Sequence, residues 1–332
     1  MLTILLACTP SATPDSDPAT DDSVASIPDN CDLQPTGEVS LPADEAPHGE
    51  DVEWWYWTAH VQDEEGRWYG IEETFFLMQM GTYTATSAHV AVADISAGTF
   101  TYDVNFVMEG QESTTDGFDL VSEQQTATGS DGQETLHGEI DGYTLDLELS
   151  ASKPPVFQHG DGYHDYEVGG YTWYYSRERI DTTGTLLVGE ESRAVEGLAW
   201  MDHQWGDLGD ISTSGWDWFA LQLDDGSEVM LFLTRGSDTL VGGSFTDSGC
   251  NTTELGPEDF QVEALGEWTS PATDCTYPQG WRLEVLGKDL TVTPELADQE
   301  VDNVMNTYWE GASVVSGDLS GRAYVELAGY CL

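Results

Sequence analysis

The chain reads as an all-β protein built from two tandem antiparallel barrels, and three observations lead there. Short runs rich in aromatic and β-branched residues recur from residue 36 onward with polar and apolar positions alternating, the period-two pattern of half-buried strands. Polar turns carrying glycine separate these runs, as in Asp141-Gly142 and Asp224-Asp-Gly226. Helical periodicity is almost missing, which argues against strands joined by crossover helices and for a sandwich or barrel.

The elements follow in order. Glu53 to Val61 is an aromatic-rich strand ending at the turn Gln62-Asp-Glu-Glu-Gly66, and Arg67 to Met80 is its hairpin return. Ser87 to Ile95, Thr99 to Val107, Glu134 to Ile140 and Tyr143 to Ser150 continue the alternation, followed by Tyr171 to Ile180 and Thr185 to Val188. In the second half Trp216 to Leu223 meets Glu228 to Thr234 across a Gly turn. Arg282 to Leu286, Leu290 to Pro294, Gly311 to Ser316 and Gly321 to Ala328 complete the set. Pro257 to Val262 and Glu295 to Val304 are the two places where a short helix is expected. The halves resemble each other loosely. Each opens on a Trp-rich strand, turns at a glycine, and returns on a strand that begins with or soon reaches charge. The boundary is placed near 190–200, giving domains 36–194 and 195–332, and the short linker implies close packing.

Composition limits the functions available. The 332 residues carry 9 Lys and Arg against 62 Asp and Glu, a formal charge of −53. Binding a nucleic acid requires cations to neutralise phosphate, so nucleic acid is excluded as a natural partner. Anionic membrane surfaces are disfavoured for the same reason. Such a surface suits salty surroundings, where screening damps self-repulsion. With so few basic residues, Arg177 and Arg179 are expected to pair with buried acids.

The start, Met1 to Cys8, ends in Leu5-Leu6-Ala7-Cys8, which fits the lipobox of a bacterial lipoprotein signal, although its basic leader is missing. Residues 9–35 are acidic and rich in Thr, Ser, Pro and Ala, as expected of a disordered tether. The expectation is an exported protein of the cell envelope, lipid-anchored at Cys8 to the outer membrane or else secreted. The remaining cysteines, Cys31, Cys250, Cys275 and Cys331, suit two disulfides with three possible connectivities. Cys250–Cys275 and Cys31–Cys331 are preferred, the first closing a short loop and the second tying the termini.

Seven of the 12 tryptophans fall in two stretches, Trp54 to Trp57 and Trp200 to Trp218, with ionisable residues threaded among them. A core has no need of such a mixture, because each buried polar group costs desolvation unless it finds a partner. Apolar walls with a few convergent polar groups are how small-molecule sites are built. Alternation sorts the candidates by face. Glu53, Trp55 and Trp57 share one side of their strand, with Trp54, Tyr56 and His60 on the other. Tyr171, Trp173, Tyr175, Arg177 and Arg179 align. Met201, His203 and Trp205 share a face opposite Trp200 and Asp202. Trp216, Trp218 and Gln222 align, with Asp217 behind them. A buried Glu53 would be a proton donor of raised pKa, or a carboxylate paired with an arginine such as Arg177. His203 is a candidate general acid or base, and His89 opens a strand of small residues that reaches a cavity wall. Asp202, His203, Asp207 and Asp210 match no metal-ligand spacing, so neither a metal nor a cofactor is expected. No Gly-x-Ser-x-Gly, phosphate loop or dinucleotide fingerprint is present.

Several short segments occur in a telling order: Glu53-Trp54-Trp55-Tyr56, Thr74-Phe75-Phe76, Ala88-His89, Tyr174-Tyr175-Ser176-Arg177, Gly197-Leu-Ala-Trp-Met-Asp-His-Gln-Trp205, Gly215-Trp-Asp-Trp-Phe219, Gln222-Leu-Asp-Asp-Gly226 and Tyr308-Trp309-Glu310-Gly311. Together, over residues 45–330, they resemble the AttH and carotenoid 1,2-hydratase (hydroxyneurosporene synthase) superfamily. The resemblance implies two lipocalin-like barrels, a ligand cleft associated with them, and long apolar substrates. It implies addition of water to a double bond: an acid protonates carbon, aromatic faces steady the cation, and water traps it. A His-x-Trp pair and an acid on a following strand are implicated in that family. His203-Gln204-Trp205 matches the pair. The following strand has Phe232 and Thr234 where the aromatic and the acid are sought, leaving Glu228 or Asp217 as substitutes.

The reading is a lipocalin-like protein that binds an extended hydrophobic isoprenoid, polyene or lipid and carries out a hydratase-type reaction. Glu53, His203 and Trp205 are its expected catalytic residues. Trp55, Tyr56, His89, Tyr175, Arg177, Asp202, Trp216, Trp218 and Gln222 are expected to shape the site. A non-catalytic carrier and a secreted hydrolase are the alternatives.

Overall fold

A computed structural model describes residue 31 and residues 36–112, 114–166, 170–209, 214–235, 241–303 and 307–331. Cys8 and almost all of the 9–35 tether lie outside them. Two large antiparallel sheets dominate, one of twelve strands and one of ten. The first runs, in spatial order, from Thr99–Val107 through Tyr83–Asp94, Trp68–Met80, Val52–Asp63, Glu191–Asp207, Tyr171–Val188, Tyr143–Ala151, Gln133–Ile140 and Gln125–Ser130 to Phe118–Ser122. It curls until its two end strands approach, where Asn105 Nδ2 donates to the Ser122 carbonyl at 3.2 Å. The second runs from Thr252–Leu255 through Val241–Thr246, Glu228–Thr234, Trp216–Leu223, Gly321–Ala328, Thr307–Gly317, Lys288–Pro294 and Trp281–Val285 to Phe260–Ala264. The expected class, two tandem lipocalin-like antiparallel barrels, is what forms.

Alternation explains the packing. Trp55, Trp57, Phe75 and Trp205 turn into the first barrel, and Phe219, Trp281 and Trp309 into the second, each barrel closing on its own apolar cluster. Burying one large aromatic ring contributes about 4–6 kcal/mol before entropy. Among the described residues each barrel interior is occupied by its own side chains. Gly142 and Gly226 take the left-handed backbone that their tight turns require (φ 82° and 81°).

Three expectations are corrected. The strand Glu191–Asp207 pairs with both Val52–Asp63 and Tyr171–Val188, so the first unit extends to about residue 207 and not to 194. Pro257 to Val262 and the described residues 295–303 are not helices. They contribute the strands Phe260–Ala264 and Glu300–Asp302, which pair with Trp281–Val285 and with 307–309. The disulfides are Cys31–Cys250 and Cys275–Cys331 in place of the preferred pairing, because barrel topology brings those Cα atoms to 5.5 and 5.2 Å. Non-reducing peptide mapping is expected to recover linked peptides containing 31 with 250 and 275 with 331. Recovery of a 250–275 peptide would contradict this arrangement.

The barrels dock through outer faces. Lys153 and Arg179 of the first both bind Glu228 of the second, the lysine at 2.6 Å. Arg179 Nη2 also donates to the Leu223 carbonyl at 2.9 Å, and Lys153 Nζ to the Gly226 carbonyl at 2.6 Å. Gln222 reaches back to the Glu178 and Ala199 carbonyls. At Gly70 the sheets come so close that a Cβ there would stand 2.5 Å from the Ala312 Cβ. Arg179 is thus spent on a buried acid, as composition led one to expect.

Candidate functional site

Beside this seam the facing sheets part into a cleft of about 970 Å³, counted out to its open mouth. The strand ladders set its walls. On the first barrel Tyr56 lies opposite both Asp202 and Thr74, and Trp54 lies opposite Gln204 and Phe76. On the second, one row across four strands reads Phe232, Trp218, Glu326, Glu310. The next row places Trp216 beside Thr234 and Tyr308 beside Ala328. These are the outward faces of both barrels, so the cleft is walled by indole and phenol rings that lie outside either core.

Its polar lining includes three carboxyls, Asp202, Glu310 and Glu326. Asp202 accepts from Tyr174, from Ser176 at 2.6 Å and from Trp200 Nε1 at 2.7 Å. Burial pushes it up to about 6 in spite of those bonds. Glu310 Oε1 accepts from the Tyr56 hydroxyl at 2.6 Å, while its Oε2 is enclosed with no partner. Glu326 accepts from Trp216 Nε1 at 3.0 Å, and burial pushes it up to about 7. Glu310 and Glu326 are direct ladder neighbours on one face, where side chains stand roughly 5 Å apart. Burial, then the charges of Glu326 and Glu72, hold Glu310 well above the usual carboxylate range. Each disfavours ionisation of the other, so the pair gives up its second proton less readily than its first. Among the described residues no Lys or Arg lines the cleft.

The sequence-predicted residues divide between two places. Tyr56, Asp202, Trp216 and Trp218 line the cleft. His89 stands behind it, with Nδ1 2.7 Å from the Tyr308 hydroxyl, and Gln222 belongs to the docking seam. Glu53, His203, Trp205, Trp55, Tyr175 and Arg177 turn the other way, into the first barrel. There His203 Nε2 meets Glu53 Oε1 at 2.9 Å, and His48 Nδ1 meets the same oxygen at 2.8 Å. Burial alone would raise Glu53, but the two imidazole hydrogen bonds outweigh it and hold the carboxyl below its ordinary value. Burial lowers His203 to about 4. Arg177 pairs with Glu45 at 2.6 Å, not with Glu53. The expected trio does converge, but the cleft makes no contact with it. The two substitute acids also face elsewhere: Glu228 is held in the seam, and Asp217 by the Tyr330 hydroxyl at 2.9 Å.

Phe232 and Thr234 do line the cleft, but its acids come from other strands, Asp202 from Glu191–Asp207 and Glu310 and Glu326 from strands farther along the chain. Glu310 and Glu326 were the residues missed. Their signal was a lone acid within an otherwise apolar strand face, Tyr308-x-Glu310-x-Ala312 and Tyr324-x-Glu326-x-Ala328.

A model of the AttH-like family matches residues 32–330. The crystal structure of an AttH protein from Nitrosomonas europaea superposes with a TM-score of 0.81 at 28% identity, covering 90% of this chain and 100% of that one. Kievitone hydratase from Nectria haematococca superposes at 0.74 with 19% identity, over 89% of this chain and 95% of its own. CghA, solved with Sch210972, superposes at 0.59 with 12% identity, over 92% and 96%. The last two share the fold. No curated protein matches the sequence.

Proposed function

Because the chain belongs to the AttH-like family and its barrels enclose an aromatic cleft bearing carboxyl groups, we propose that it binds an uncharged, unsaturated hydrophobic molecule there and adds water to it by acid catalysis. The observation that carries this is the Glu310–Glu326 pair, set side by side beneath indole rings with one Glu310 oxygen unpartnered. Protonated Glu310 delivers its proton to one alkene carbon as the π pair forms the new C–H bond. The faces of Trp54, Trp216 and Trp218 steady the cation. Water attacks the cationic carbon and gives its proton to ionised Glu326, which returns it to Glu310, so that one water is consumed and both acids are restored. Tryptophan walls without Lys or Arg among the described residues, and with the one lining imidazole, His159, lowered to about 3 by burial, favour a neutral substrate over a fatty acid or a diphosphate. An acyclic isoprenoid is the substrate class preferred by the resemblance to carotenoid 1,2-hydratases, and a solved neighbour named for hydration is consistent with this chemistry on the fold. We place the protein in the cell envelope, anchored at Cys8.

The test is incubation with acyclic terpenes and polyenes in ¹⁸O-labelled water, followed by mass spectrometry. Products heavier by one labelled water are expected. If the same compounds quench the cleft tryptophans yet return unchanged, the protein is a carrier. If they neither quench nor react, the cleft is not their site.

A further inference from the structure

We propose that His48, Glu53 and His203 form a site for one divalent transition-metal ion of the zinc class, separate from the cleft. Each offers one ligand atom, and these atoms lie within 4.8 Å of one another. They come from three places: the segment ahead of the first strand, the strand Val52–Asp63, and the strand Glu191–Asp207. The two imidazole nitrogens stand 2.8 and 2.9 Å from a single Glu53 oxygen. Donors on a tetrahedral ion with bonds near 2.0–2.1 Å are about 3.3 Å apart, so an ion needs the cluster to open by only about half an ångström.

The surroundings hold the donors in place. The His48 ring stacks on Trp205 at 3.9 Å and 4°, and His203 stacks on Trp55 at 4.4 Å. The backbone N–H of His48 fixes the other Glu53 oxygen at 2.9 Å. The Asp44 carboxylate is 3.7 Å from His48 Nε2, the ring nitrogen that faces away from Glu53, which is the place of the outer acid in a carboxylate–histidine–metal arrangement. Three protein donors leave an ion a fourth position open for water, as in three-ligand zinc sites.

Two imidazoles and one carboxylate prefer zinc, cobalt or nickel to calcium or magnesium, which favour oxygen-only shells. The ion would tie the Ala43–Glu45 turn, whose Glu45 is buried against Arg177, to two neighbouring strands of the barrel. Sequence reading passed over the site because His48 lies in a loop, five residues before Glu53 and far from His203. No ligand spacing marks it.

The experiment titrates the chelator-stripped full chain with Co(II) in excess calcium, which occupies the acidic surface. One calcium-resistant equivalent is expected, with visible d–d absorption that Zn(II) displaces and a melting temperature raised by Zn(II). Loss of an outer partner alone weakens such sites 10–100-fold, so His48→Asn should weaken binding by more than about 100-fold. His48 sits in a half-exposed loop, so the fold should survive, as near-ultraviolet circular dichroism would verify. His203→Asn must show the same loss. Absence of a calcium-resistant equivalent, or binding unchanged in both variants, overturns the site and leaves only adventitious surface binding.

Discussion

Glu310→Gln should lower the hydration rate by about 10²–10⁴-fold, the usual contribution of a positioned general acid, while tryptophan quenching by the substrate stays within a few-fold. The substitution preserves shape and the acceptor for the Tyr56 hydroxyl but removes the proton. Glu326→Gln should lose a comparable factor, and the double variant little more, because the two acids act as one unit. The pH profile should have two limbs that belong to the pair: activity rises as the first proton leaves, near the value of about 7 to which Glu326 is pushed, and falls when the second leaves. In Glu310→Gln the alkaline limb should vanish. A variant with wild-type rate and profile would remove the pair from the chemistry. The same burial has a cost in stability. Glu326, Glu72 and Glu178 are raised by burial to about 7, 8 and 8 in the fold, above their unfolded values. Their favourable contribution is complete below pH ~4.5 and is lost as pH climbs through 7–8. Urea midpoints should therefore fall from pH 5 to pH 8, and less steeply in Glu72→Gln.

Arg179→Ala is expected to destabilise the folded chain by about 3 kcal/mol, the lower end of the range for breaking a buried ion pair, since Glu228 retains Lys153. The loss comes mainly from leaving the Glu228 charge enclosed with one partner fewer, while the Leu223 carbonyl keeps only the Gly226 N–H as donor. Removing all three charges should recover much of it, so Arg179→Met with Lys153→Met and Glu228→Gln is expected to lie closer to wild type than Arg179→Ala alone. Because this cluster sits between the barrels, the single variant should also loosen the cleft, read as weaker quenching by the substrate. A cost below about 0.5 kcal/mol by denaturant titration would mean that apolar packing around Gly70 and Trp218 holds the barrels together unaided.

The all-β class and most strands were legible because period two is a local pattern: Glu53 to Val61 and Tyr171 to Ile180 declare it within a few residues. Alternation also separated Trp54 and Tyr56 from Glu53 and Trp55 correctly. It could not say which side was core. A strand carries no mark for whether its second face meets water or another barrel, so Glu53, His203 and Trp205 looked like a site when they are enclosed in the first barrel. Tyr56, Asp202, Trp216 and Trp218, which line the cleft, stood out in the sequence because they keep polar atoms beside large rings. Glu310 and Glu326 were not, since each is a single acid in a different strand and only the ladder makes them neighbours.

Composition and periodicity by themselves determined the strands, the faces and the pairing of scarce arginines with buried acids, all of which depend on residues close in sequence or on charge balance. Tertiary structure alone decided the disulfide partners, the end of the first barrel near residue 207, and the opening of a cleft between two outer faces. Those depend on register and docking between segments up to 250 residues apart, where closure of one sheet and the approach of the next set distances that no local pattern encodes.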